Sequence, residues 1–523
     1  MRDHVRSVRD LIGAALAVAS ALAASGCGRG PARPHVELQV VGESTRLRTS
    51  DPLPATSPYF DGQTVRLRGA RGEILGVQVL RDAAGEVPVS VAIEGEGVTV
   101  QGFGVEALPV VHPSTGMYGP SRGAGQYPDR LIAATGPVLT GRAAFFDVAI
   151  AAGAAAGERR GTLLVGDRRI PVVLRVEPVD LPAIDAAPRI WAYYDPKEVA
   201  RDEGAEPGSD EAWQVELRFA ALFRAHGVYA SPELRVDDAD RRLPLTAGFP
   251  YVPIILPTDP DEVAPVVQFF RDRLRGTGQR AFGIPIDEPR QEEQKREVRA
   301  LAEAVRKAGG GQEVLYAVTD KPHEIYGDFI DIYMNPWAVS LAGATGRAER
   351  WTYNGSPPSA GGMILDTDGV GTRTWGWIAW RWKVPVWYVW DALYWHDRYS
   401  ARRKGLARGT VPQSPIDRDA VTFDDGEDHG NLDGVLAFPG ARPSLRLKTL
   451  RRGQEDRLLL DKVAACDRRF AESVAAALVP RALADEPRRV PAPGSWPTDE
   501  APWEAARQKL LDRAIACAAG GAK

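Results

Sequence analysis

Between residues 188 and 440 short apolar runs alternate with amphipathic stretches, and no other feature of this chain narrows its fold as far. Arg189–Tyr194 reads as the first strand. Ser209 then caps a helix with Trp213, Leu217, Ala220 and Phe223 on one face, stopped by Gly227. Tyr251–Leu256 is a strand, and Thr258-Asp259-Pro260 opens a helix through Val263, Val267, Phe270 and Leu274 to Gly276. Ala281–Ile286 is the next strand and delivers Asp287-Glu288-Pro289. The helix after it carries Val298, Leu301 and Val305 and ends at Gly309. Val314–Val318 and Phe329–Met334 are further strands, whereas Trp351–Trp395 is less regular. Strand–helix alternation predicts a parallel sheet, and the span matches the roughly 250 residues of a (β/α)8 barrel.

The flanks follow other rules. From 36 to 182 the period is two, as in Val65–Arg68, Ile74–Leu80, Val89–Ile93, Ala144–Ile150 and Ile170–Val176, with Gly, Pro and Asp turns between. That pattern predicts an antiparallel β-sandwich closed by Leu181-Pro182. Residues 441–523 form a helical segment, with helices over about 444–478 and 498–518 around a Pro-rich bend at 480–497. The expected class is therefore mixed α and β: an N-terminal sandwich, a (β/α)8-type barrel, then C-terminal helices.

Residues 1–27 read as a lipoprotein signal peptide. Arg2, Arg6 and Arg9 precede an apolar stretch of 14 residues, Leu11 to Ala24. This run is too short for a membrane span, which needs roughly 20 residues, and suits a signal core. Ala24-Ser25-Gly26-Cys27 looks like a bacterial lipobox, so Cys27 is the expected lipidation site and residues 28–35 the tether. The mature protein is then exported and anchored by its lipid to a bacterial cell membrane. An ordinary secretory signal with an incidental cysteine is the alternative. Cys466 and Cys517 can pair in an exported chain or remain buried thiols.

Composition removes other classes. With 65 basic and 69 acidic residues spread along the chain, there is no clustered basic footprint for nucleic acid. Three cysteines and scattered histidines (His4, His35, His112, His226, His323, His396, His429) provide no CxxC, no HExxH and no zinc spacing. No metal and no cofactor are expected.

Few residues can carry chemistry. Asp287-Glu288 ends an apolar strand, where barrel enzymes place catalytic groups. Adjacent, buried carboxylates repel, which raises at least one pKa toward what a general acid needs. The same acids can equally cap the following helix. Seven of the thirteen tryptophans lie between 375 and 395, in Trp375–Trp382 and Trp387–Trp395. Such rings either build a core or offer flat platforms to a ligand. Asp424–Asp433 is acidic but lacks EF-hand spacing and reads as a solvated loop rather than a calcium site.

The order of these parts resembles a known family. Asp-Glu-Pro follows a central strand, then come Trp351-Thr-Tyr-Asn354, Arg373-x-x-Gly-Trp-x-x-Trp and Leu393-Tyr-Trp395. Asp433–Gly440 leads into Ser444-Leu-Arg-Leu-Lys-x-Leu-Arg-x-Gly-Gln-Glu-Asp456, the most specific stretch and one read as structural. Over about residues 36–465 the chain is similar to the catalytic domain of glycoside hydrolase family 123, and Tyr127-Pro-Asp129 resembles part of that family's sandwich. The resemblance implies β-N-acetylgalactosaminidase-type chemistry on a carbohydrate substrate, in which the sugar's 2-acetamido oxygen attacks the anomeric carbon. Glu288 would be the acid/base and Asp287 would orient the acetamide. Arg373, Tyr353, Trp382 and Trp395, in the family-like blocks, would bind substrate. Two other readings stand beside it: a carbohydrate-binding or structural lipoprotein with a silent barrel, and a retaining glycosidase whose nucleophile is Asp391, Asp331 or Asp320.

Overall fold

The computed structural model describes residues 36–186, 189–336, 348–355, 357, 359–396, 417–483 and 495–520; Cys27, the signal segment and the tether lie outside them. Period-two runs become ten strands: β1 (Leu38–Gly42), β2 (Val65–Arg71), β3 (Ile74–Arg81), β4 (Val87–Ile93), β5 (Val98–Val110), β6 (Gly125–Ala133), β7 (Val138–Thr140), β8 (Ala143–Ile150), β9 (Gly157–Val165) and β10 (Arg168–Asp180). They form two five-stranded sheets, ordered β1-β3-β8-β5-β6 and β2-β10-β9-β4-β7. Val40, Val77 and Phe146 of the first share one apolar core with Leu67, Leu163 and Leu174 of the second. One ladder departs from the antiparallel expectation. Strand β10 pairs with β2 in parallel, because the long excursion through β3 to β9 returns the chain in the same direction.

Eight strands follow: β11 (Ile190–Ala192), β12 (Val228–Ala230), β13 (Tyr251–Pro253), β14 (Arg280–Gly283), β15 (Val314–Val318), β16 (Ile332–Met334), β17 (Glu349–Tyr353) and β18 (Trp387–Val389). They make one parallel sheet in the order β12-β11-β18-β17-β16-β15-β14-β13. Its two edge strands meet just beyond their ends, where Leu234 bridges Ile254 and bonds Pro253 and Ile255 through the backbone. That is the neighbour order of a (β/α)8 barrel. The helices are α1 (Pro196–Asp202), α2 (Asp210–Arg224), α3 (Ala239–Arg242), α4 (Val263–Leu274), α5 (Glu292–Lys307) and α6 (Thr374–Arg381). Ser209 caps α2 by accepting from Ala212 N at 3.1 Å, and Val298, Leu301 and Val305 are the buried face of α5. The alternation is incomplete: between β15 and β16 only a 3-10 turn, Glu324–Tyr326, connects the strands. Aromatic rings fill the inside of the sheet, with Trp191, Tyr229, Tyr251, Phe282 and Trp351 packed together and Tyr193, Tyr353 and Tyr388 above them.

Two C-terminal helices, α7 (Leu445–Leu478) and α8 (Glu500–Gly520), close the structure. Helix α7 breaks at Asp467, whose extended backbone (φ −144°, ψ 76°) lets its carboxylate accept from Phe470 N and start a new helical turn. Cys466, beside the break, forms a disulfide with Cys517 of α8. Among the described residues no helix is long and apolar enough to cross a membrane.

The Ser444–Asp456 stretch is the first half of α7, and its charged side chains are buried. Ser444 caps the helix, while Arg446 grips both oxygens of Asp129 and the carbonyls of Met363 and Leu432. Arg452 bonds Glu43 and Glu73 of the sandwich, and Asp456 accepts from Arg373 and Trp377. Gly453 meets Gly376 of α6 so closely that a Cβ on Gly376 would lie 1.8 Å from the Gly453 carbonyl oxygen. The motif is thus a fastening between sandwich, barrel and C-terminal helices.

Candidate active site

Catalytic groups on a parallel barrel belong at the C-terminal ends of its strands, and the acidic pair lies there. Strand β14 stops at Gly283, short of the predicted Ile286, so Asp287 and Glu288 sit on a loop. Neighbours in a strand face opposite ways. Here Glu288 adopts a left-handed backbone (φ 42°), which turns its side chain into the same mouth as that of Asp287. Such a conformation is strained in a non-glycine residue and is characteristic of functional loops.

One hydroxyl fixes the pair. Thr319, just after β15, donates to Asp287 Oδ1 at 2.6 Å and accepts from the Glu288 backbone N–H at 2.7 Å. Tyr353, the last residue of β17, donates its phenol to Glu288 Oε1 at 2.8 Å, and Arg290 donates to Oε2 at 3.0 Å. Burial is the main force raising the Asp287 pKa, and the charge of Glu288 adds to it; the Thr319 bond opposes both. The Tyr353 phenol is pushed well above its ordinary range by burial and by Glu288, so it remains a donor.

A third carboxyl was not singled out by the sequence. Glu233 follows β12, and burial together with the charge of Asp287 pushes its pKa up to about 7. Tyr388 of β18 lies in the field of both Glu233 and Asp287. Its ring stacks on Trp191 at 4.5 Å and lies 6.3 Å from that of Tyr353. The mouth therefore sets three carboxyls over an aromatic layer. The only sequence cue for Glu233 is Ser-Pro-Glu after a short apolar run, a pattern too common to mark a site.

Of the predicted substrate-binding side chains, the structure brings only Tyr353 to the acidic pair. Arg373 is fully buried, its guanidinium held by Asp456 at 2.7 Å and Glu504 at 2.8 Å. Trp395 is core, donating to the Ala437 carbonyl and packing on Phe219. Trp382 ends α6 under the guanidinium of Arg381, 4.2 Å away. These three are corrections: Arg373 is committed to the charges under the C-terminal helices, Trp395 to the core against α2, and Trp382 to the end of α6, and none is brought to the acidic pair. Trp375, Trp377 and Trp387 are likewise buried, with Trp375 stacked on Trp387 at 5.2 Å.

The three aspartates named as alternative nucleophiles all accept hydrogen bonds within the protein. Asp320 accepts from Lys295 and from Tyr326, Asp331 precedes β16 and accepts from Tyr316 N, and Asp391 is buried and accepts from Leu393 N. The acidic loop is a hairpin, β19 (Val421–Asp424) and β20 (His429–Asn431), clipped to the sandwich through Thr115–Asp428 and Asn431–Ser114. Its buried Asp433 takes bonds from Tyr118 and Trp390, and burial pushes its pKa up to about 6. An open depression on the sandwich, lined by Glu94, Glu96, Arg159 and Arg160, has no aromatic side chain. Among the described residues no three His, Cys, Asp or Glu side chains are disposed to hold a metal ion.

No protein-family model matches the sequence, and no curated protein does. Solved structures do. A family 123 glycoside hydrolase from Clostridium perfringens, described for glycolipid glycan hydrolysis, superposes with a TM-score of 0.61 at 12% identity, over 93% of this chain and 99% of that one. An FMN-binding β-glucuronidase from Facaelibacterium prausnitzii gives a TM-score of 0.23 at 8% identity, over 76% of this chain and 60% of that one, too low to bear on the fold. The chain has the fold of a family 123 glycoside hydrolase.

Proposed function

We propose that this protein is a glycoside hydrolase that cleaves a 2-acetamido sugar with the substrate's own amide as nucleophile. The observation that carries the reading is the Asp287-Glu288 pair, turned into one mouth by the left-handed Glu288 and pinned by Thr319 above an aromatic layer. In the first step the acetamide oxygen bonds to the anomeric carbon as the glycosidic C–O bond breaks, and Glu288 gives its proton to the leaving oxygen. Asp287 accepts from the acetamide N–H and balances the positive charge of the oxazolinium intermediate. Glu288 then takes a proton from water as that water opens the ring, which retains the anomeric configuration.

The test is hydrolysis of aryl glycosides that differ only at position 2. Substrates with the 2-acetamido group should turn over and the 2-hydroxy analogues should not; equal rates would overturn the reading. Glu288→Gln should slow poor leaving groups by about 10²–10⁴-fold, whereas Asp287→Asn should slow every 2-acetamido substrate.

Export and a lipid anchor at Cys27 belong to the same proposal. The Leu11–Ala24 run with Ala-Ser-Gly-Cys supports them, and so does the Cys466–Cys517 disulfide, which suits an oxidising compartment. Expressed in a bacterium with lipoprotein processing, Cys27→Ser should move the protein from the detergent to the aqueous phase. Identical partitioning of variant and wild type would remove the anchor.

A further inference from the structure

Glu233 has no part in the proposed chemistry, yet it is held as a site residue is held. Leu234, next in the chain, is fixed by the parallel bridge to Ile254 and by bonds to Pro253 O at 2.8 Å and from Ile255 N at 3.0 Å. Its side chain packs outward with Val252, Ile254, Val263 and Val267, in the core between the sheet and its helices. In an extended run adjacent side chains point to opposite faces, so Glu233 faces the mouth, where it shares the field of Asp287 and Tyr388.

No described side chain or backbone group donates a hydrogen bond to the Glu233 carboxyl, and no described cation pairs with it. No cation is among the charges that act on it, and Arg290 is held by Glu288 at 3.0 Å and Lys295 by Asp320. A half-buried carboxyl without donors is unfavourable unless a ligand supplies them. Two neighbouring hydroxyls of a sugar ring offer two parallel O–H donors to the two oxygens of one carboxylate. The ring of Tyr388, in the field of Glu233 and backed by the buried Trp191, gives the apolar face of that sugar a platform. With Asp287 and Glu288 also acidic, a substituent carrying negative charge would meet three carboxyls.

We propose that Glu233 is the specificity-determining carboxyl of the mouth, accepting hydrogen bonds from ring hydroxyls of the sugar held beside Asp287 and thereby selecting a neutral ring over an anionic one. The assignment rests on the glycosidase reading above and names what that site recognises.

The experiment compares wild type, Glu233→Gln and Glu233→Ala on aryl 2-acetamido-2-deoxy-β-galactoside and β-glucoside, and on the 3-, 4- and 6-deoxy analogues of whichever turns over faster. Glu233→Ala should lower kcat/KM on the parent sugar by about 10- to 100-fold, chiefly through KM, with Glu233→Gln intermediate. On at least one deoxy analogue wild type and variants should be nearly equal, since the missing hydroxyl and the missing carboxyl are one interaction. An identical loss on all three analogues would overturn the role, because a residue that only supports the loop cannot sense a hydroxyl. Undiminished wild-type hydrolysis of all three analogues would overturn it without any variant. If wild type neither hydrolyses nor binds any of these sugars, the glycosidase reading itself falls, a different result from turnover without a role for Glu233.

Discussion

Thr319 does two things with one hydroxyl, and both bear on Asp287. It anchors the carboxylate at 2.6 Å and, by accepting from Glu288 N, holds the left-handed turn that aims the next carboxyl. The groups facing Asp287 are Thr319, Glu288, Glu233, Tyr353, Tyr388 and Arg290. Only the Thr319 and Glu288 N–H bonds and the Arg290 charge favour its ionised form; burial and the other acids oppose it. If catalysis needs Asp287 ionised, rate falls as pH drops through its raised pKa, so the acid limb should lie above the ordinary aspartate range. Thr319→Val removes one stabilising bond and raises that pKa further. The acid limb of kcat/KM should therefore move to higher pH in the variant. An unmoved limb with a uniformly lower rate would mean that Thr319 only supports the loop.

Helices α6 and α7 show how an element can be legible and its purpose not. Sequence placed Ser444 as the start of a helix, and the cap is there, because a Ser before an apolar run satisfies the orphan N–H of Leu447. Strand runs such as Val314–Val318 were equally plain, since a buried parallel strand reads as continuous apolar residues. The Trp-rich block was open between core and platform, and it divided mostly toward core, because a local pattern cannot say which face a neighbouring helix will cover. Arg373 was misread for the same reason: its partners Asp456 and Glu504 lie 83 and 131 residues further on, and only the fold brings them together. Glu233 lay hidden just after a three-residue strand that periodicity cannot detect. Substitution should expose these element-scale roles. Gly376→Ala drives a Cβ into the Gly453 carbonyl and should destabilise by about 1–3 kcal/mol. Trp395→Ala should cost about 3–5 kcal/mol as a core cavity, while Tyr353→Phe, at the mouth, should alter kcat/KM and leave urea unfolding nearly unchanged. Loss of sugar binding in Trp395→Ala with full stability would return that residue to the site.

At the scale of the whole molecule the sandwich, barrel and C-terminal helices share one set of buried charges. Glu43, Glu73, Asp129 and Asp147 of the sandwich meet Arg446, Lys448, Arg451 and Arg452 of α7. Glu504 and Arg507 of α8 join through Arg373 and Glu73. Separating any one part would leave buried charges without counterions, a loss of about 3–5 kcal/mol for each broken pair. The parts should therefore unfold together. Acid is the sharpest probe of that coupling. Burial alone would raise the Asp147 carboxyl, but Arg451 and Lys448 outweigh it and hold it far below the usual range. Burial is likewise outweighed at Glu504, which Arg373, Arg452 and Arg507 hold down to about 2. A carboxyl whose folded pKa is depressed contributes stability that is present above its unfolded pKa and is lost as pH falls through the folded value. For Glu504 that window runs from about 4.5 down to about 2. Glu455 acts in the opposite sense: burial pushes it up to about 8, so its contribution is complete below about 4.5 and is lost as pH rises through 8. Thermal stability should accordingly fall on both sides of a narrow, mildly acidic plateau near the ordinary glutamate range, on the alkaline side progressively between about 4.5 and about 8. In an acid titration tryptophan fluorescence, dominated by the barrel and C-terminal helices, and far-UV circular dichroism, which includes the sandwich, should lose signal in one coincident transition. Glu504→Gln should shift that transition to higher pH and lower the plateau as well, since Arg373 keeps its charge with one partner fewer. Two separated acid transitions, with the sandwich surviving the barrel, would show that the shared charges do not couple the parts.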